Sequence, residues 1–304
     1  MNLQNIISEI EKTDPEIYDR LDTRRRTMKK FASFSGKVAL ASLPLAFGSM
    51  LKKAYGQAIP QQVIDVLNFA LTLEYLEAEF YNNVVGLTTT PFPGAMPASP
   101  SAAFNTASAA DKGALTKIRN DENLHVTFLR TALGAAAIAK PKFDLTGGKG
   151  SNAGPFKDYL ASLTVALALS QTFEDTGVRA YKGQAGFLQV SRPHLTAALQ
   201  IHSVEARHAA KIREMRRILD MAIPPAQKPL KPFITQNFSG ILFPPAQAAI
   251  DASYAGEELT TQATVNIVGI GGNAFVTANA ASESFDEPLT KAAVLAIVAP
   301  FFAP

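Results

Sequence analysis

SVEARHAAKIREMRRILD, residues 203–220, has the composition of a strong helix, yet a carboxylate and an imidazole interrupt its apolar stripe. Ile201, Glu205, His208 and Ile212 follow i, i+4, i+7 and i+11, which puts Glu205 and His208 on the side that should bury aliphatic carbon. An ionised carboxylate in a core is costly unless it is paired or bound to metal. Something else in the chain must compensate for it.

The same arrangement recurs upstream. ENLH carries Glu122 and His125 on a stripe completed by Ile118 and Leu129. With 14 Glu and 4 His among 304 residues, chance supplies about 0.2 Glu-x-x-His pairs. Two occur, on separate segments, and each pair can converge on one ion. Two further segments contribute a single inward acid. In one, Leu67, Leu71, Glu74, Ala78 and Tyr81 share a face; in the other, Leu167, Gln171, Glu174, Val178 and Tyr181 do so. Each of these glutamates has a tyrosine seven residues later. A tyrosine there can hydrogen-bond a ligand side chain or relay electrons, although an aromatic on a helix stripe more often packs.

Working outward, four segments carry the 3.6-residue apolar period, about Gln61 to Val85, Asp111 to Ala139, Pro155 to Lys182 and Ser191 to Met221. Ser191 with Pro193 just inside marks the last start, and Pro224-Pro225 stops that helix. Residues 86–110, rich in Pro, Ser, Thr and Ala, read as a long surface loop. KPKFDLTGGKGSNAGPF, residues 140–156, reads as a crossover; its GGKG lacks the spacing and preceding strand of a phosphate loop. Beyond Met221 the chain turns Pro-rich and apolar. Short helices are expected near Gln247 to Glu258 and Thr290 to Ala299, around the Gly-interrupted VNIVGIGGNAFV. Phe243, Phe285, Phe301 and Phe302 read as core or docking contacts, and His194 as an exposed residue at a helix start. The fold expected is all-α: a four-helix bundle over 57–221 with a long first loop, and a mixed, mostly irregular and helical extension over 222–304.

In ligand order and in the Glu-to-Tyr spacing of seven, residues 61–219 resemble the ferritin-like superfamily, which includes bacterioferritin and rubrerythrin. Four helices giving Glu, Glu-x-x-His, Glu and Glu-x-x-His is the pattern of its di-iron and di-manganese carboxylate members. The resemblance implies Glu74, Glu122, His125, Glu174, Glu205 and His208 as ligands of two metal ions, with Glu122 and Glu205 bridging. Glu77 and Glu79 are rivals for the first-helix position, and Glu77, one turn from Glu74, can instead be an outer partner. His202, three residues before Glu205, either orients it or sits at the bundle edge. The long loop and the tail set the chain apart from compact, cage-forming ferritins.

Composition narrows the chemistry. No cysteine is present, which excludes disulfides, zinc ribbons and iron–sulfur clusters and leaves only O and N ligands. Such ligands suit iron, the first expectation, or manganese. The net charge of +3 is concentrated at the front: residues 1–56 hold 10 of the 29 Lys+Arg and 6 of the 26 Asp+Glu. The rest is near neutral, which argues against nucleic acid. That basic head runs TRRRTMKK, then an apolar stretch, then a small-x-small site at Ala54 and Gly56. It resembles a twin-arginine export signal, although Thr27 stands where that class has an aromatic. The resemblance implies a mature protein outside the cytoplasm, periplasmic or extracellular, with no membrane span. The functional expectation is an exported dimetal protein that oxidises Fe²⁺ or consumes O₂ or peroxide, as a monomer or homo-oligomer. The alternatives are a metal-sequestering or protective binding protein, and a metal-free interaction bundle.

Overall fold

The computed structural model describes residues 59–304, so the export signal read in residues 1–56 lies outside the described residues. Helix α1 spans Gln61–Val85, a short α2 Ala102–Thr106, α3 Ala109–Leu133, α4 Leu163–Gln184 and α5 Arg192–Ile218. The extension adds α6 (Gln247–Ala252), a two-residue hairpin of β1 (Thr261–Gln262) and β2 (Val265–Asn266), α7 (Ala278–Ser282) and α8 (Lys291–Val298). The architecture is an all-α four-helix bundle, α1, α3, α4 and α5, with a mixed extension. No described helix is long and apolar enough to cross a membrane.

Helix boundaries follow their caps. Ser108 starts α3 earlier than the expected Asp111, because its hydroxyl accepts from the Asp111 amide at 3.1 Å. Gly134, at φ 57°, ends α3 and leaves only a 3-10 turn in the Ala-rich run expected to continue to Ala139. Helix α4 starts at Leu163, not near Pro155, since residues 155–161 form turns and Ser162 supplies the cap. In the extension α6 stops at Ala252, short of the expected Glu258.

Two apolar layers sandwich the centre of the bundle. Ile118 and Ile212 fall in one with Leu76, Phe80, Tyr81 and Leu167; Leu129 and Ile201 fall in the other with Leu67, Leu71, Val126 and Tyr181. Each such leucine contributes about 1.5–3 kcal/mol by leaving water. The polar interruptions of the four stripes therefore meet midway along the bundle.

Helix α4 is buried on every side, from Ala166 through Tyr181. A helix without a wet face needs a second partner, and the extension is that partner. Three buried arginines hold it. Arg179 pairs with Glu257 at 2.7 Å and donates to the carbonyls of Glu287 and Ala255. Arg213 pairs with Asp175, which also accepts from Tyr254 at 2.7 Å. Arg216 donates to the Gly240 carbonyl at 2.8 Å. Gly183 allows the close approach: a Cβ there would stand 1.9 Å from the Leu289 carbonyl oxygen. Phe301 packs edge-on against Phe173, Phe243 stacks on Phe156, and Phe302 meets Phe143. Phe285 departs from expectation, being 37% exposed.

Candidate metal centre

Four helices each deliver a glutamate to one buried cluster, and α3 and α5 each add a histidine. Glu74, Glu122, Glu174 and Glu205 are fully buried, with His125 and His208 nearly so. The i to i+3 spacing puts acid and imidazole of one helix side by side. Ligand atoms of Glu74, Glu122, His125 and Glu205 lie within 4.8 Å of one another, as do those of Glu122, Glu174, Glu205 and His208. All six side chains singled out in the sequence are thus brought together, and two of them belong to both groups.

Those two span the cluster. Glu122 puts Oε2 3.3 Å from His125 Nδ1 and Oε1 2.9 Å from His208 Nδ1. Glu205 does likewise, with Oε1 3.0 Å from His125 Nδ1 and Oε2 3.5 Å from His208 Nδ1. The outer acids each face one imidazole: Glu74 Oε2 lies 3.1 Å from His125 Nδ1, and Glu174 Oε2 lies 3.4 Å from His208 Nδ1. Their other oxygens are held crosswise, Glu174 by the Tyr81 hydroxyl and Glu74 by the Tyr181 hydroxyl. The tyrosines are hydrogen-bond donors to the acids and also members of the apolar layers.

The donor set asks for cations. Glu122 Oε1, Glu174 Oε2, both Glu205 oxygens and His208 Nδ1 are buried without a hydrogen-bond partner. Buried acceptors left this way are costly unless an ion completes them. Without such ions the cluster must hold protons. Burial pushes the Glu74 carboxyl up to about 8, against the pull of His125. Burial and the neighbouring acids raise Glu77 and Glu174 well above the carboxylate range, with His208 opposing at Glu174. Glu205 goes the other way. Burial would raise it, but the imidazoles of His125 and His208 beside its two oxygens hold it well below the usual range. Both imidazoles are raised, since the surrounding glutamates outweigh their burial.

Of the rivals, Glu79 is half-buried and pairs with Lys140, outside the cluster. Glu77 is buried, at 4% exposure, beside the cluster but in neither group of four. It occupies the room left by Gly177, where a Cβ would lie 3.1 Å from Glu77 Oε1. His202 is half-buried with its Nε2 unpartnered. His194 is buried, contrary to the exposed position expected, because the hydroxyl of Ser191 turns to its Nδ1 at 2.6 Å instead of capping the helix. One residue escaped the sequence reading: Asp121 accepts from His208 Nε2 at 3.1 Å. Its signal was its place directly before Glu122.

A four-helix bundle that gathers an acid from each of its four helices and an imidazole from each of two at its centre defines the ferritin-like class. Residues 62–217 match the family model of the ferritin-like domain, and the chain belongs to that family. No curated protein and no solved structure matches the chain significantly.

Proposed function

We propose that the protein is an exported dimetal protein that oxidises Fe²⁺ or consumes O₂ or peroxide, with Glu74, Glu122, His125, Glu174, Glu205 and His208 as the ligands. The observation that carries this reading is the shared orientation of Glu122 and Glu205, each with one oxygen toward His125 and the other toward His208. Carboxylates so placed suit two ions side by side. Four carboxylates also balance two divalent charges, which makes burial of the whole assembly tolerable. Iron is the preferred ion and manganese the second, since hard O and N donors suit both. When bound, such a pair supplies redox chemistry toward oxygen species.

The chain's own residues prepare that chemistry. Tyr81 and Tyr181 fix the outer glutamates so that one oxygen of each points inward. Asp121 on Nε2 of His208 orients the imidazole with Nδ1 inward. Glu77 adds a fifth buried carboxyl nearby, whose charge is disfavoured there by burial and the neighbouring acids. The apolar layers on both sides exclude bulk water. Fe²⁺ oxidation followed after oxygen is admitted tests the reading: the wild type should turn over rapidly and the Glu122→Ala/His208→Ala double variant at the rate of free iron. Equal rates would reject it.

Export rests on Thr23 to Lys30 and the Ala54–Gly56 site. In cells the mature protein should begin near residue 57, and replacing Arg24 and Arg25 with Lys should hold the precursor in the cytoplasm. Processing that is indifferent to those arginines would refute it.

A further inference from the structure

The centre has an internal two-fold relation, α1 answering to α4 and α3 to α5. Glu74 and Tyr81 correspond to Glu174 and Tyr181, and Glu122 and His125 to Glu205 and His208. Each tyrosine crosses to the glutamate of the other helix, and each central glutamate touches both imidazoles. Against this symmetry the departures stand out. Asp121, before Glu122, is answered by Val204, before Glu205; Ser170, four before Glu174, is answered by Ala70, four before Glu74.

Both departures favour the same half. Asp121 accepts from His208 Nε2 at 3.1 Å, which fixes the tautomer and makes Nδ1 a better donor toward the centre. Val204 can offer His125 no such acceptor, and among the described residues nothing accepts from His125 Nε2. Lys117, also on Asp121, lies on its solvent side and holds it in place. Ser170 bonds the Tyr81 hydroxyl that in turn holds Glu174, so this outer acid is braced through two residues. The Tyr181 hydroxyl on Glu74 has Ala70 at the equivalent place and no such brace.

Resting on the reading that this cluster binds two divalent ions, we infer that the two halves are inequivalent. The Glu174–His208 half loads first and more tightly, the Glu74–His125 half second, and Asp121 is the positioning residue that sets the order. Carboxylate partners of ligating histidines commonly change metal affinity 10–100-fold.

Mn²⁺ titration of metal-free protein, followed by calorimetry and by the loss of the free-ion resonance signal, should show two steps separated by at least about tenfold. Anomalous diffraction from crystals given one equivalent of Mn²⁺ should place the ion between Glu174 and His208. Asp121→Asn should weaken the first step by about 10–100-fold and leave the second nearly unchanged. Val204→Asp should strengthen the second. Equal occupancy of the halves at one equivalent, or first occupancy beside Glu74 and His125, would overturn the inference while leaving the dimetal reading intact. No uptake of Mn²⁺ or Fe²⁺ by the wild type would remove both. Should Asp121→Asn fail to fold, the site-resolved occupancy of the wild type decides alone.

Discussion

The Tyr181 hydroxyl on α4 donates to Glu74 on α1, and the reverse bond, Tyr81 to Glu174, ties the same two helices a second time. Burial, and then the charge of the bonded glutamate, keep both phenols protonated far above their ordinary range, so they are permanent donors. Each bond also decides which glutamate oxygen remains for the centre. Tyr181→Phe should therefore leave a buried acceptor unpaired and cost about 1–3 kcal/mol in denaturant unfolding of the metal-free protein. It should weaken metal uptake as well. A variant unchanged in both would show that the ring merely packs.

Metal should stabilise this fold strongly, because the six donors converge only when the four helices are assembled. An ion that binds the folded state alone adds about 4 kcal/mol at a free concentration a thousand times its Kd. Fe²⁺ or Mn²⁺ should raise the melting temperature of the wild type and chelator should return it. The Glu122→Ala/His208→Ala variant should show no rise. A wild type whose melting point ignores both metal and chelator would contradict this.

Metal uptake should release protons. Glu74, held at about 8 by burial, and both imidazoles, raised by the glutamates, are protonated at neutral pH when no ion is present. Ions compete with those protons, so affinity rises with pH and is lost on acidification. Calorimetry in buffers of differing ionisation enthalpy should report more than one proton released per cluster at pH 7. An enthalpy independent of buffer would refute it.

What the sequence made legible follows from physics local to each helix. Glu74, Glu122, Glu174 and Glu205 were visible because an ionisable group on an apolar stripe breaks a periodicity that its own neighbours define. Asp121 was not, since it sits on the flank of α3 and acquires meaning only from His208 on another helix. Asp175, Arg179 and Arg213 look solvated on α4 and α5 until the extension covers them. The overrun of α3 toward Ala139 has a similar root. Ala-rich sequence favours helix, and the left-handed turn at Gly134 depends on how the chain leaves the bundle.

Glu77 should cost the metal-free protein stability. Burial, then the charges of Glu205 and Glu122, raise its folded-state pKa well above 4.5. A carboxyl raised on folding contributes stability below its unfolded pKa and loses it as pH climbs toward the folded value. Glu77→Gln removes that loss. Unfolding of the metal-free variant should show a gain over wild type at pH 7–8 that shrinks toward pH 4.5, whereas a lower stability across that range would show that the carboxylate is satisfied as it stands.

The extension makes an analogous prediction away from the centre. Glu257 is raised from 4.5 to about 7, because burial outweighs the pull of Arg179. Its folded pKa lies above the unfolded one, so its contribution is present below about pH 4.5 and is lost as pH rises through 7. Arg179→Ala would remove the only cation paired with this carboxylate among the described residues, and breaking a buried pair on one side costs about 3–5 kcal/mol. The loss should be larger at pH 8 than at pH 5, since the protonated acid needs no counter-charge. Adding Glu257→Gln should recover part of it at pH 8 and little at pH 5. A pH-independent loss would place the importance of Arg179 in its bonds to the Glu287 and Ala255 carbonyls instead.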